Sequence, residues 1–408
     1  MNFKHLIPIA ITFIIFSCKK DTIQNKDTIL LTNNNIIEYY KNNGAKKLWG
    51  VSPSTKLDVL KVECVDGLNK VVFKSNIDSI SFLFKENDTI NFSVVLKEKD
   101  TALTQIIGIP KVPKNHDPLK AVIHTEDIKR FWKAYEMVQK SPKDAYNIYK
   151  NEYLSNGSKG FKDYFRSKIR DTAKFVKHHS ERPKFYKSIK TTMLSIDDVK
   201  PIMYKSFENM KSLYSKSVFP DIYFVMGRFT SAGTVSKEGL LIGLNQICRT
   251  PSSVTDELTL WQKNNFLDYR NLPDVIAHEL IHYQQFEMPA DTTTLRNVIF
   301  EGMADFIGEK ISGKRSSDRV AKWAKGKEDN IRKRFIKDMM HNRAYNWIAN
   351  SDQETEDFPA DQGYWVGYEI CKAYYEKSSN KDNTITEMLE LKDFNEFLQA
   401  SGWLNKQY

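Results

Sequence analysis

Two histidines four residues apart bracket a glutamate in an otherwise apolar stretch, Leu272-Pro273-Asp274-Val275-Ile276-Ala277-His278-Glu279-Leu280-Ile281-His282-Tyr283. On a helix this spacing puts His278 and His282 on one face, a turn apart, where two neutral imidazoles can hold one Zn²⁺. Glu279 follows the first of them, rotated by about 100° around the helix axis. Its carboxylate therefore reaches a water on the metal rather than the metal itself. A zinc site that does chemistry needs a third protein donor and an open position. The next candidate is Glu301 in Val298-Ile299-Phe300-Glu301-Gly302-Met303-Ala304-Asp305-Phe306-Ile307-Gly308. Asp305 lies four residues on, facing the same way. Two acids interrupting an apolar run are better explained as metal chemistry than as surface charge. Glu301 completes a His₂Glu set for one zinc per chain, and Asp305 accepts the second N–H of His278, fixing its tautomer.

These residues need two helices. Pro273 and Asp274 suit a first turn, because proline lacks an N–H and aspartate favours the positive helix end. Val275, Ile276, Leu280 and Ile281 bury most of the surface of that helix. Gly302, Ala304 and Gly308 are small enough to let the second helix approach the histidine helix closely.

H-E-x-x-H, eighteen intervening residues, then E-x-x-x-D resembles the gluzincin metallopeptidases, the group of thermolysin and the zinc aminopeptidases. More narrowly, GLLIG, HELIHYQQ, EGMADFIGE and GYWVGYEI resemble an uncharacterised family of predicted zinc-dependent proteases among Bacteroidetes lipoproteins. The resemblance spans roughly residues 120–400 and leaves residues 45–115 unexplained. It implies hydrolysis of peptide bonds by zinc-activated water, with Glu279 as general base. It also implies a donor for the oxyanion downstream of the third ligand. Tyr364 and Tyr368 share a helix face and are both candidates, with His341 an outsider. A peptide substrate would align along an exposed strand edge. Leu240, Leu241, Ile242, Gly243 and Leu244 are the candidate strand, since they precede the motif and are bracketed by Gly239 and Gly243.

Upstream, the chain opens as a secretory leader: Lys4, an eleven-residue apolar run Leu6–Phe16, then Ser17 before Cys18. Ile15-Phe16-Ser17-Cys18 resembles a lipobox, which implies acylation of Cys18 and membrane attachment without a spanning helix. Lys19, where an aspartate would signal inner-membrane retention, favours the outer membrane by the same analogy. Residues 1–17 are thus read as a signal peptide and 18–44 as a tether. Residues 45–115 alternate apolar and polar between Asp-Gly, Asn-Asp and Lys-Asp turns and are read as a β-rich module. Residues 116–408 are read as a zincin-like domain, with helical aromatic spacing from Thr125 to Ser217 and strands at Ile222–Met226 and Leu240–Leu244. Thr230–Ser236 is read as a loop. The fold class is α+β: the β-rich module, then a mostly helical domain with a small sheet and an active-site helix.

The 408 residues carry a formal charge of +10 with 27% charged and 41% hydrophobic side chains, which describes a globular chain. Four cysteines, three of them (Cys64, Cys248 and Cys371) beyond the lipid site, do not make a disulfide framework and are expected in cores. The basic stretch Lys325–Arg343 is broken by Glu328, Asp329 and Asp338 and reads as a solvated helix face, so no nucleic-acid partner is expected. The leading expectation is a lipid-anchored envelope peptidase acting on a peptide or protein. Its rivals are a catalytically silent zinc scaffold whose β-rich module binds an unknown partner, and a zinc hydrolase of a non-peptide amide or ester. Structural zinc needs no adjacent general base, which makes Glu279 the discriminator.

Overall fold

The computed structural model describes the backbone of strands between residues 29 and 108, and residues 114–408 apart from 290, 316–317 and 408, with the side chains of 287 and 382 also left aside. The leader, Cys18 and Lys19 lie outside the described residues, as does the side chain of Cys64. The chain divides into two compact units after Pro113. In the first, strands from Ile29–Leu31 to Thr101–Gly108 pair antiparallel in two four-stranded sheets. Ile29–Leu31 and Asn35–Tyr40 fall inside the stretch read as a tether, so paired backbone begins earlier than the alternating pattern suggested.

The second unit is mostly helical around one small sheet, an α+β arrangement in keeping with the sequence. Four strands build the sheet: β1 (Ile123–His124), β2 (Ile222–Val225), β3 (Gly233–Ser236) and β4 (Gly239–Gly243). Their order is β3-β4-β2-β1. β2 runs parallel to both β1 and β4, while β3 and β4 form an antiparallel hairpin with Ser236 opposite Gly239. Both faces of β2 and β4 are covered, which explains their unbroken apolar sequences, IYFV and GLLIG. The expectation that Leu240, Leu241, Ile242, Gly243 and Leu244 form an exposed edge is therefore corrected. β4 is interior, and Leu244 already belongs to a 3₁₀ turn. The edge next to β4 is β3, from the segment read as a loop; its mixed Gly-Thr-Val-Ser sequence is half-exposed and carries no strong strand signal.

The segment leading into β3 is pinned by Phe229, whose φ of 63° is unusual for a bulky residue. Its ring lies 4.3 Å from His178 and 4.6 Å from Phe266, in edge-on contacts that continue into the aromatic core around Tyr186 and Phe185. That core uses most of the aromatics at helical spacing, including Phe131, Tyr149, Tyr153 and Phe161, all essentially inaccessible to solvent. Tyr146 is the exception and is exposed. Cys248 and Cys371 are buried free thiols. The basic stretch contains the helix Glu328–Asp338, where Arg332 pairs with Asp329, and Arg343 beyond it pairs with Asp338.

Three helices frame the chemistry: α1 (Leu272–Gln284), α2 (Thr294–Ser312) and α3 (Gln362–Lys377). α1 starts with Pro273 in its first turn and is buried all round from Leu272 to His282, as a helix apolar on every side must be. α2 begins at Thr293, whose hydroxyl accepts from the Arg296 N–H, and ends at Gly313 in the left-handed region. Gly308 faces α1, with room for a Cβ no closer than 3.3 Å to the His278 nitrogen. Gly302 instead faces α3, contrary to its expected place against the histidine helix. A Cβ there would lie 2.1 Å from the Gly367 carbonyl carbon, and one on Gly367 would lie 1.8 Å from the Val298 oxygen. The backbones of α2 and α3 are thus in direct contact. Gly367→Ala is expected to destabilise the protein by about 2–3 kcal/mol, since neither backbone can yield like a side chain. Thermal unfolding measures this, and an unchanged midpoint would mean the helices are not in contact there.

Candidate metal centre

Packing α1 against α2 brings His278, His282 and Glu301 to one point. The two Nε2 atoms are 3.0 Å apart, and Glu301 Oε2 lies 3.4 Å from His278 Nε2 and 3.2 Å from His282 Nε2. The rings stand nearly perpendicular, at 87°. The outer nitrogens decide what faces inward. His278 Nδ1 is 2.8 Å from Asp305 Oδ1, and an ionised carboxylate only accepts, so Nδ1 carries the proton. His282 Nδ1 is 2.7 Å from Gln285 Oε1, while Gln285 Nε2 donates to the Phe300 carbonyl at 3.0 Å. The amide is thereby oriented with its oxygen toward His282, which must donate. Each neutral imidazole then points a lone pair at the other and at a carboxylate oxygen.

Three converging acceptors call for a cation, and two nitrogens with one carboxylate are a donor set that zinc accepts. Without one, a proton takes that place. Burial alone would lower the His278 pKa, but hydrogen bonds to Asp305 and Glu301 outweigh it and hold the imidazolium well above its ordinary range. Burial pushes Glu301 up, and the two imidazoles more than reverse this, keeping its carboxyl below the usual range.

Glu279 is not among the three converging donors. It is buried, and among the described residues its carboxylate has neither a hydrogen bond nor an ion pair. Burial raises its pKa, against the pull of His282 and His278. The edge strand closes over it: a Cβ on Gly233 would sit 2.3 Å from Glu279 Oε1. Any larger residue there would oblige the Glu279 side chain to shift.

α3 separates the two tyrosines. The Tyr364 ring lies 6.0 Å from that of His278, and its hydroxyl has no hydrogen-bond partner among the described residues. Burial first, then the nearby charges of Glu301, Asp361, Asp305 and Glu279, raise its pKa well above the phenol range. Tyr368, one turn on, donates to Glu309 and lies beneath the Arg315 guanidinium at 3.8 Å, beside Phe306 and away from the metal donors. His341 is exposed, and its carbonyl accepts from the backbone and hydroxyl of Thr294 at the start of α2. The structure does not bring it to the donors.

Two contributors were absent from the sequence reading. Gln285 is the amide that holds His282, and its only signal is its place three residues after that histidine. Gly233 was hidden in a segment read as a loop. Asp305 is buried with Arg315, whose Nε is 3.8 Å from its Oδ2. Asp305→Ala leaves buried donors uncompensated and is expected to cost about 3–5 kcal/mol in chelator-treated protein, with Asp305→Asn costing less. Urea denaturation checks the order, and equal midpoints for both variants would contradict it.

A family model described as gliding motility protein GldB matches residues 114–404, all but the last four residues of the helical unit with its sheet. The description names motility and not hydrolysis, so the lipoprotein part of the sequence resemblance is supported, and a protease activity is not part of it. No curated protein and no solved structure matches the chain. With the family match covering well over half its length, this chain is a cell-envelope lipoprotein of the Bacteroidetes family of gliding motility protein GldB.

Proposed function

We propose that this lipoprotein is a zinc-dependent hydrolase of peptide bonds, anchored through Cys18 in the outer membrane. The observation that carries the reading is Glu279: a buried carboxylate with no hydrogen bond or ion pair among the described residues, next to three converging metal donors. A buried charge left unpaired is costly, and such groups concentrate where chemistry uses them. A metal held only for stability would have no use for this carboxylate.

His278, His282 and Glu301 would hold the ion, and Asp305 and Gln285 would keep both imidazoles in the ligating tautomer. When bound, zinc supplies Lewis acidity and brings the pKa of water toward 7. Glu279 takes the proton of the attacking water and returns it to the departing amine, a role its raised pKa suits. Tyr364, with its hydroxyl uncommitted and its proton held firmly, donates to the developing oxyanion. Substrate backbone would pair along β3, whose edge lies directly over Glu279. In keeping with the family's description, the substrate would be an envelope protein concerned with gliding motility. A second reading is a catalytically silent zinc-stabilised scaffold, since that description names motility and not hydrolysis.

Detergent-solubilised full-length protein is expected to hold about one zinc per chain, lost in His278→Ala and in His282→Ala. Elemental analysis decides this, and metal retained equally by both variants rejects the centre. Glu279→Gln should keep the metal and lose hydrolysis of a peptide library, whereas unchanged turnover rejects Glu279 as base. Tyr364→Phe is expected to lower kcat by about 10²–10³, with Tyr368→Phe close to wild type; the reverse order would move the oxyanion role to Tyr368.

A further inference from the structure

Arg296, in the first turn of α2, is a half-buried cation that the proposed hydrolysis does not use. Its guanidinium lies 4.1 Å from the centre of the Phe300 ring, and Phe300 stacks in turn on His282 at 4.7 Å and 15°. The guanidinium is therefore no more than about 9 Å from the ring of a metal-donor histidine. Its Nε is buried without a hydrogen-bond partner, and among the described residues no ion pair reaches the side chain. Among the described residues, the charges that act on it are Glu301 and Asp291. Glu301 is turned toward the two histidines, and Asp291 is engaged by the backbone N–H and hydroxyl of Thr293. Burial lowers the Arg296 pKa against the pull of Glu301 and Asp291, so the site holds a partly dehydrated cation with no ion pair among the described residues.

We infer that Arg296 is a specificity residue, stacked on Phe300 to receive a carboxylate of the bound peptide. The inference rests on the peptidase reading above. A planar guanidinium fixed on an aromatic face offers its N–H fork to a carboxylate in bidentate geometry, which a lysine cannot reproduce. An extended peptide advances about 3.3–3.6 Å per residue, so the carboxylate lies one or two residues from the scissile bond. Two sources share that chemistry: the C-terminal α-carboxylate, giving release of the last one or two residues, and an Asp or Glu side chain within a longer chain. The preferred substrate is an anionic peptide in either case. Lys168, whose charge acts on Glu279, favours the same sign.

The test uses full-length, zinc-loaded protein carrying Glu279→Gln, so that peptides bind without being cut. Fluorescence anisotropy compares two pairs of labelled peptides: free acid against C-terminal amide, and internal Glu against Gln with both ends blocked. At least one acidic member should bind about ten- to a hundredfold tighter than its neutral partner, as a charge-assisted hydrogen bond requires. That preference should vanish with Arg296→Gln added and recover only partly with Arg296→Lys. The responding pair identifies the source. Equal binding within both pairs, or a preference that survives Arg296→Gln, overturns the inference. If Arg296 merely balanced Glu301, Arg296→Gln would change metal content and leave the acid preference intact. Wild-type protein given the same peptides separates the two readings: no cleavage alongside Arg296-dependent binding rejects the peptidase and retains the carboxylate site.

Discussion

Two imidazole nitrogens and a carboxylate oxygen face one another across 3.0–3.4 Å in a buried place, and acceptors do not converge like this unless something positive lies between them. Much of the second unit serves that constraint. α1 carries both histidines on its inner face, and α2 brings the carboxylate. Asp305 and Gln285, acting from behind, hold the ring protons on the outer nitrogens and thus leave the inner lone pairs free. The Gln285 amide also ties the end of α1 to the Phe300 carbonyl, one residue before Glu301. Ligands from two helices are locked to each other through a third side chain.

Charge around this point is divided by position. Glu301 is kept ionised by its two imidazoles, while Glu279, one residue from His278, is pushed the other way by burial. Two glutamates that feel each other's charge thereby acquire opposite tendencies from their surroundings. Tyr364 sits among the same carboxylates and holds its proton. Tyr368, on the same helix face, gives its hydrogen bond to Glu309 and belongs to a separate cluster with Arg315 and Phe306.

The sequence disclosed those parts of the site that follow from helical periodicity. H-E-x-x-H and E-x-x-x-D each place two side chains on one helix face, so four residues could be named from spacing alone, and capping and apolar pattern set the helices that bear them. What depends on contacts between distant segments was not legible. The order β3-β4-β2-β1 puts GLLIG inside the sheet, although its glycines suggested an edge. Gly233 was read as loop because four half-exposed residues have too short an alternation to announce a strand. Tyr364 and Tyr368 could not be told apart, since only the packing of α3 on α2 decides which one reaches His278. The assignment of Gly302 to the wrong neighbour has the same origin: a small residue signals close approach without saying to what.

That misplaced glycine has a mechanical consequence. Where two helices touch backbone to backbone, neither can slide without driving a carbonyl through its neighbour. Glu301 and Tyr364, one on each side of the Gly302–Gly367 contact, accordingly move as a single solid piece. The other side of the donor cluster is built differently, since there β3 meets the Glu279 side chain through Gly233 and not backbone to backbone. The rigid backing of α2 on α3 fixes the spacing between the Glu301 carboxylate and the Tyr364 ring.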